Sequence, residues 1–154
     1  MAAQLGSDCV FFIENKPTIV SGRGEMLQPI HLDLSGYRIL IVYPNISVNT
    51  ASAYQQLDDW RVKNEVDLKQ MHDLSIAEIL KFPMDRWQHF LHNDFEHPIG
   101  FEFHQIAMFI EGMKKAGAIY TSLSGSGSAF FGIFEDKPKN ISLPESARVF
   151  EAKL

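Results

Sequence analysis

With 154 residues, 45% hydrophobic and 21% charged, the chain has the size and apolar content of one packed domain, or of one domain plus part of another. Its net charge of −5 argues against a nucleic-acid partner, because an acidic surface repels a phosphate backbone; a small nucleotide ligand needs only local donors and stays open. Cys9 is the only cysteine, which excludes an internal disulfide and a thiol zinc cluster and fits a reducing, cytoplasmic compartment. The longest apolar runs fall far short of the ~20 residues that cross a bilayer, so no membrane partner is expected. Met1–Gly6 has neither the basic region nor the apolar stretch of a signal peptide.

Ala2-Ala3-Gln4-Leu5-Gly6 reads as the end of a helix whose earlier turns are missing, which suggests a fragment. Cys9 to Ile13 is expected as a buried strand, Glu14 to Pro17 as a turn, and Thr18 to Ser21 as a second strand. Gly22-Arg23-Gly24 bends the chain before a strand-like alternation from Met26 to Leu32. Tyr37 to Tyr43 is the clearest strand, and Pro44 to Asn49 a polar loop. Thr50 is expected to cap a helix through Leu57, while Asp58 to Asp73 is ambiguous. Ser75-Ile76-Ala77-Glu78 is a capping box opening a helix to Phe82, and Pro83 opens another through Trp87 to Leu91. Asn93-Asp94 is a further cap candidate. Phe103, Ile106, Ala107, Ile110 and Met113 recur at helical spacing in a helix from about Pro98 to Ala116, closed by Gly117. Ala118 to Leu123 and Ala129 to Phe134 are strands joined by Ser124-Gly125-Ser126-Gly127-Ser128, with a short helix near Pro144 and a last strand from Arg148 to Ala152. This order implies an α+β sandwich, a sheet covered on one face, preceded by strands of another unit.

Three places can carry chemistry, and each has an ordinary structural alternative. Asp8, after a helix end, can point into a cleft or serve as a turn residue. The serine–glycine segment at 124–128 can offer amides and hydroxyls to phosphate oxygens or be a plain hairpin loop. It is not a Walker loop, since no Gly-Lys-Ser/Thr follows. Thr50 and Tyr54 share a helix face, pairing a hydroxyl with an aromatic platform, or are a cap and a half-buried ring. The six histidines show no metal-ligand spacing, and Trp60 and Trp87 read as packing residues; no metal site is assigned.

These features occur in an order that resembles the GHMP kinases, in particular the branch acting on 4-diphosphocytidyl-2-C-methyl-D-erythritol. The blocks are Leu5 to Phe12, Gly22-Arg23-Gly24-Glu25, Pro44 to Tyr54, Asn93-Asp94-Phe95-Glu96, and Gly117-Ala118 leading into Leu123 to Ala129. The likeness covers nearly the whole chain and fades after about residue 135. It implies a remnant of the N-terminal, ATP-binding domain at 1–35 and a C-terminal domain, a ferredoxin-like α/β sandwich, at 36–154. The implied reaction moves the γ-phosphoryl group of ATP, with Mg2+, to the 2-hydroxyl of that cytidine diphosphate derivative in non-mevalonate isoprenoid biosynthesis. By resemblance Asp8 takes the hydroxyl proton, Tyr54 stacks on the cytosine, Thr50 lies near the diphosphate, Arg23 lies beside the base, and Gly125, Ser126, Gly127 and Ser128 close on the phosphates. Val10 stands where the family has proline, and His97-Pro98 comes early. The family's ATP loop and N-terminal lysine precede the Leu-Gly-x-Asp block, so the chain alone is expected to be inactive and to self-associate through exposed strands. The competing reading is a non-catalytic module binding a nucleotide-like ligand or a partner protein. Tyr54 and the Gly22–Glu25 bend argue against a homoserine or mevalonate kinase.

Overall fold

The structure, a computed structural model, describes residues 9–64, 74–98, 103–143 and 145–154. Asp8, the segment leading to it and Pro144 lie outside them. The first described element is a helical turn, α1 (Phe11–Glu14), and not the expected buried strand. Phe12 and Ile13 are 70% and 71% exposed. A strand here would need a neighbour for its amides and carbonyls, whereas a helical turn satisfies them locally. The Asn15 amide does this, donating to the Phe11 carbonyl at 2.9 Å from a left-handed conformation.

The chain then forms a hairpin, β1 (Thr18–Ser21) and β2 (Met26–Pro29), pairing antiparallel with Thr18 opposite Pro29. It is a two-stranded sheet of its own. The main sheet has four antiparallel strands in the order β4-β5-β3-β6: β3 (Arg38–Tyr43), β4 (Tyr120–Leu123), β5 (Phe130–Phe134) and β6 (Arg148–Lys153). With β3 between β5 and β6, this is the split β-α-β topology of a ferredoxin-like sandwich. Among the described residues no helix lies between β5 and β6, so the second crossover is made by turns and coil.

Helix α2 (Thr50–Lys63) absorbs the segment the sequence left ambiguous up to Lys63. Helix α3 (Ile76–Ile79) opens with the expected capping box: the Glu78 amide donates to Ser75 Oγ and the Ser75 amide to the Glu78 carboxylate. Helix α4 (Met84–Trp87) follows Pro83, and α5 (His104–Lys115) is the long amphipathic helix.

Strand alternation divides the sheet into two faces. Leu40 and Val42 of β3 point the same way as Phe130, Phe134 and Leu123, and join Ala53 of α2 and Ile106, Ile110 and Met113 of α5 in the main core. The opposite face is covered too, which corrects the one-face sandwich. Ile133 and Tyr120 pack there with Ile79, Met84 and Trp87 from α3 and α4. Periodicity shows that a helix has an apolar face but not which side of a sheet it meets. That second cover does not reach β6, whose six residues are all exposed.

Candidate phosphate-binding site

The serine–glycine loop joins β4 to β5 directly above the main core. The Ser124 amide donates to the Ala129 carbonyl at 2.8 Å, and the Gly127 amide to the Ser124 carbonyl at 3.0 Å, which closes the turn. Gly125 and Gly127 have φ of +57° and +86°, a region where a side chain on L-residues is strained. Glycine is therefore what the turn itself requires.

Three distant segments hold this loop. Ser128, almost fully buried, donates its hydroxyl to the Ile46 carbonyl, in the loop entering α2. Ser126 Oγ lies 3.2 Å from Thr50 Oγ1, 76 residues away in sequence. Asn93 donates through its one amide nitrogen to two carbonyls, those of Leu123 and Gly125, both at 2.9 Å.

Thr50 is not the helix cap. Asn49 is: its Oδ1 accepts the Ser52 amide at 3.0 Å, and Thr50 is the first helical residue. Asparagine, with a planar carbonyl on a short stem, takes the capping position. The Thr50 hydroxyl is thereby left to reach across to Ser126. The opening amides of a 14-residue helix lie beside these hydroxyls, and they carry the partial positive charge of the helix dipole. Hydroxyls, amides and a helix start form a set of donors suited to an anion.

Tyr54 lies one turn further along α2, 56% exposed, in a T-shaped contact with Phe95 at a centroid distance of 5.0 Å. Phe95 belongs to the Asn93–Glu96 segment, so the aromatic and the loop share one support. Arg61 of α2 pairs with Asp94, and Glu96 Oε1 accepts the Leu123 amide at 2.8 Å and Ser122 Oγ at 3.0 Å. Gln88 Oε1 accepts the Thr121 amide at 2.9 Å. Side chains of the 88–96 segment thus occupy the free edge of β4 in place of a neighbouring strand. Burial pushes the Tyr120 phenol above its ordinary pKa of 10.0, a hydrogen bond with Ser122 acts the other way, and the Glu96 charge adds to the rise.

Of the residues singled out in the sequence, Thr50, Ser126 and Ser128 come together with Gly125 and Gly127, and Tyr54 lies on the same helix. Arg23 is exposed at the hairpin tip, where its amide donates to the Glu25 carboxylate; its described contacts stay within the hairpin. Asp8 lies outside the described residues. Sequence reasoning missed Gln88, Asn93 and Glu96 as supports; Asn93-Asp94-Phe95-Glu96 stood out only as a block and a cap candidate. His97 stacks on Trp60 at 4.5 Å, giving the early His97-Pro98 a packing partner. Among the described residues there is no group of three or more His, Cys, Asp or Glu able to hold a metal ion. Among them, too, no helix is long and apolar enough to cross a membrane.

Comparison with known proteins agrees with this fold. Residues 75–145 match the family model described as GHMP kinases C terminal. The chain carries a GHMP kinase C-terminal domain. More particularly, it is 36% identical to a 4-diphosphocytidyl-2-C-methyl-D-erythritol kinase of Bacteroides fragilis, over 99% of this chain and 53% of that protein. The protein of the same name from Azobacteroides pseudotrichonymphae is 39% identical over 87% of this chain and 47% of its own length. A crystal structure of 4-(cytidine 5'-diphospho)-2C-methyl-D-erythritol kinase superposes with a TM-score of 0.67 at 26% identity, covering 84% of this chain and 45% of that one. The chain spans about half the length of the curated relatives it matches.

Proposed function

We propose that this chain forms the substrate-side half of a kinase that phosphorylates the 2-hydroxyl of 4-diphosphocytidyl-2-C-methyl-D-erythritol. The observation that carries the proposal is the Thr50–Ser126 hydroxyl pair, 3.2 Å apart, at the start of α2 and against a glycine–serine loop that is exposed at Ser124 and Gly125. A diphosphate presents oxygens that such donors can take, and Tyr54 offers a ring one helical turn away for a pyrimidine. ATP and Mg2+ would be held by the part of the relatives' length that this chain does not span. In the reaction the 2-hydroxyl oxygen attacks the γ-phosphorus, the bond to the β-phosphate oxygen breaks, ADP leaves, and Asp8 accepts the hydroxyl proton. Arg23 would approach the base from the hairpin. The domain boundary near residue 35 is supported by the hairpin's being a separate two-stranded sheet.

The reading includes a cytoplasmic location and self-association through bare strand edges. The latter is supported by β6, which among the described residues ends the strand order with a partner on one side only and is exposed along its whole length. A monomer in solution scattering at high concentration would remove that part.

The catalytic reading is tested by joining the chain to the N-terminal half of the Bacteroides fragilis relative and following ATP-dependent formation of the 2-phosphate. The joined protein should be active and the chain alone inactive. Thr50→Ala with Ser126→Ala should cut turnover about tenfold or more, since hydrogen bonds to charged groups are worth ~1.5–3 kcal/mol. Asp8→Asn should nearly abolish it. Unchanged rates in these variants, or full activity of the chain alone, would overturn the proposal.

A further inference from the structure

We infer that Asn93 is a positioning residue that aims the Ser126 amide at the ligand phosphate; this rests on the function proposed above. In a trans peptide the carbonyl and the next amide point in opposite directions. The Gly125 carbonyl is held by Asn93 Nδ2 at 2.9 Å, so the Ser126 N–H of the same peptide plane is turned away from Asn93. The neighbouring Leu123 carbonyl is held by the same nitrogen at 2.9 Å, which fixes the plane where the loop leaves β4. Asn93 itself is fixed, because its Oδ1 accepts the Phe95 amide at 3.0 Å. All of its amide groups are therefore engaged, with the donors facing two carbonyls that no carboxylate could satisfy. Gly125 is free to adopt whatever orientation is imposed on it, since it has φ of +57° and nothing within 4 Å of where a Cβ would be. The orientation of the Ser126 donor is thus set by a side chain 32 residues from Gly125 and not by the loop's own sequence. The ligand class is a nucleoside diphosphate, whose phosphate would meet the Ser126 amide beside the Ser126 and Thr50 hydroxyls.

The test is Asn93→Asp in the full chain, a change of nearly identical shape that places a carboxylate oxygen against both carbonyls. Amide hydrogen exchange at residues 124–128 is read by NMR, and cytidine diphosphate is titrated as the probe. Exchange in the loop should rise at least tenfold while β6 amides are unchanged, and cytidine diphosphate should bind about tenfold more weakly. In a Ser126→Ala background the hydroxyl is lost but the amide remains, so the Asn93→Asp effect on affinity should persist; in a Gly125→Pro background, which repositions that peptide, it should vanish. If Asn93→Asp does not fold, Asn93→Ser, keeping one donor, should give an intermediate loosening of the loop. Loop exchange that stays at the wild-type level, or a loosened loop with unchanged affinity, would overturn the inference. If the unmodified chain, alone and joined to the relative's N-terminal half, binds no cytidine diphosphate, the proposed function falls, and the loop-exchange arm still decides whether Asn93 sets the loop.

Discussion

The molecule has two glycine turns that look alike in sequence, Gly22-Arg23-Gly24 and Gly125-Ser126-Gly127, and they are held in different ways. The first closes on itself: the Gly24 amide donates to the Ser21 carbonyl at 3.2 Å, and the Arg23 amide to the Glu25 carboxylate. The second is tied to Ile46, Thr50 and Asn93, across sequence separations of 82, 76 and 32 residues. The first turn tips an exposed two-stranded ribbon, whereas the second lies on the main core, immediately before the fully buried Phe130. A glycine spacing marks where the chain can turn. What makes a turn a site is the rigid frame that fixes its donors, and only the second has one.

The comparison breaks most visibly if the core under the second turn is removed. Phe130→Ala deletes a ring that is 0% exposed and should cost about 3–5 kcal/mol in denaturant unfolding, with the loop's amides exchanging freely well below the midpoint. An equal cost for Val20→Ala in the hairpin would show the two regions to be equally integrated; that change should stay near 0.5 kcal/mol.

Next in size is the edge of β4. Glu96→Ala leaves the Leu123 amide without its acceptor in a partly buried position, and about 1–3 kcal/mol should be lost. The loss should appear together with faster exchange at Leu123 and not in β1 or β2.

The same edge should respond to alkali. Tyr120 has a folded-state pKa raised above 10.0, chiefly by burial. Its contribution is therefore fully present below the unfolded tyrosine value near 10 and is lost as pH rises toward and through the folded value. Tyr120→Phe should flatten the stability decline above about pH 10. A decline that is just as steep would mean another group causes it.

The smallest effect belongs to the first turn. Gly22 has φ of +69°, and an added Cβ would meet the Glu25 carboxylate at 2.5 Å, a flexible group that can move. Gly22→Ala should cost about 1–2 kcal/mol from the strained backbone and leave exchange in residues 124–128 unchanged. A change in the second loop would show coupling between the two turns that their contacts do not suggest.

Much of this was legible in the residues themselves. The strand at 38–43, the capping box at Ser75 and Glu78, the amphipathic helix ending at Lys115 and the hairpin with its serine–glycine loop follow from alternation, capping chemistry and helical spacing. These are local properties, set by which neighbours a residue has within a few positions. The buried strand expected at Cys9 to Ile13 was wrong because an apolar run shows only a wish for burial, and the described turn satisfies its backbone while leaving Phe12 and Ile13 exposed. Placing Thr50 as the cap missed by one residue, and that residue matters, because the true cap at Asn49 leaves the Thr50 hydroxyl available to Ser126.

By itself, then, the sequence determined the α+β class, the likeness to the GHMP kinases and the kinds of side chain that could meet a phosphate. Only the tertiary structure decided that Asn93, Gln88 and Glu96 take the place of a strand beside β4, and that Thr50 and Ser126 touch. Hydrogen bonds between groups dozens of residues apart depend on how the sheet and helices stack, and stacking sums many weak contacts that no short motif encodes.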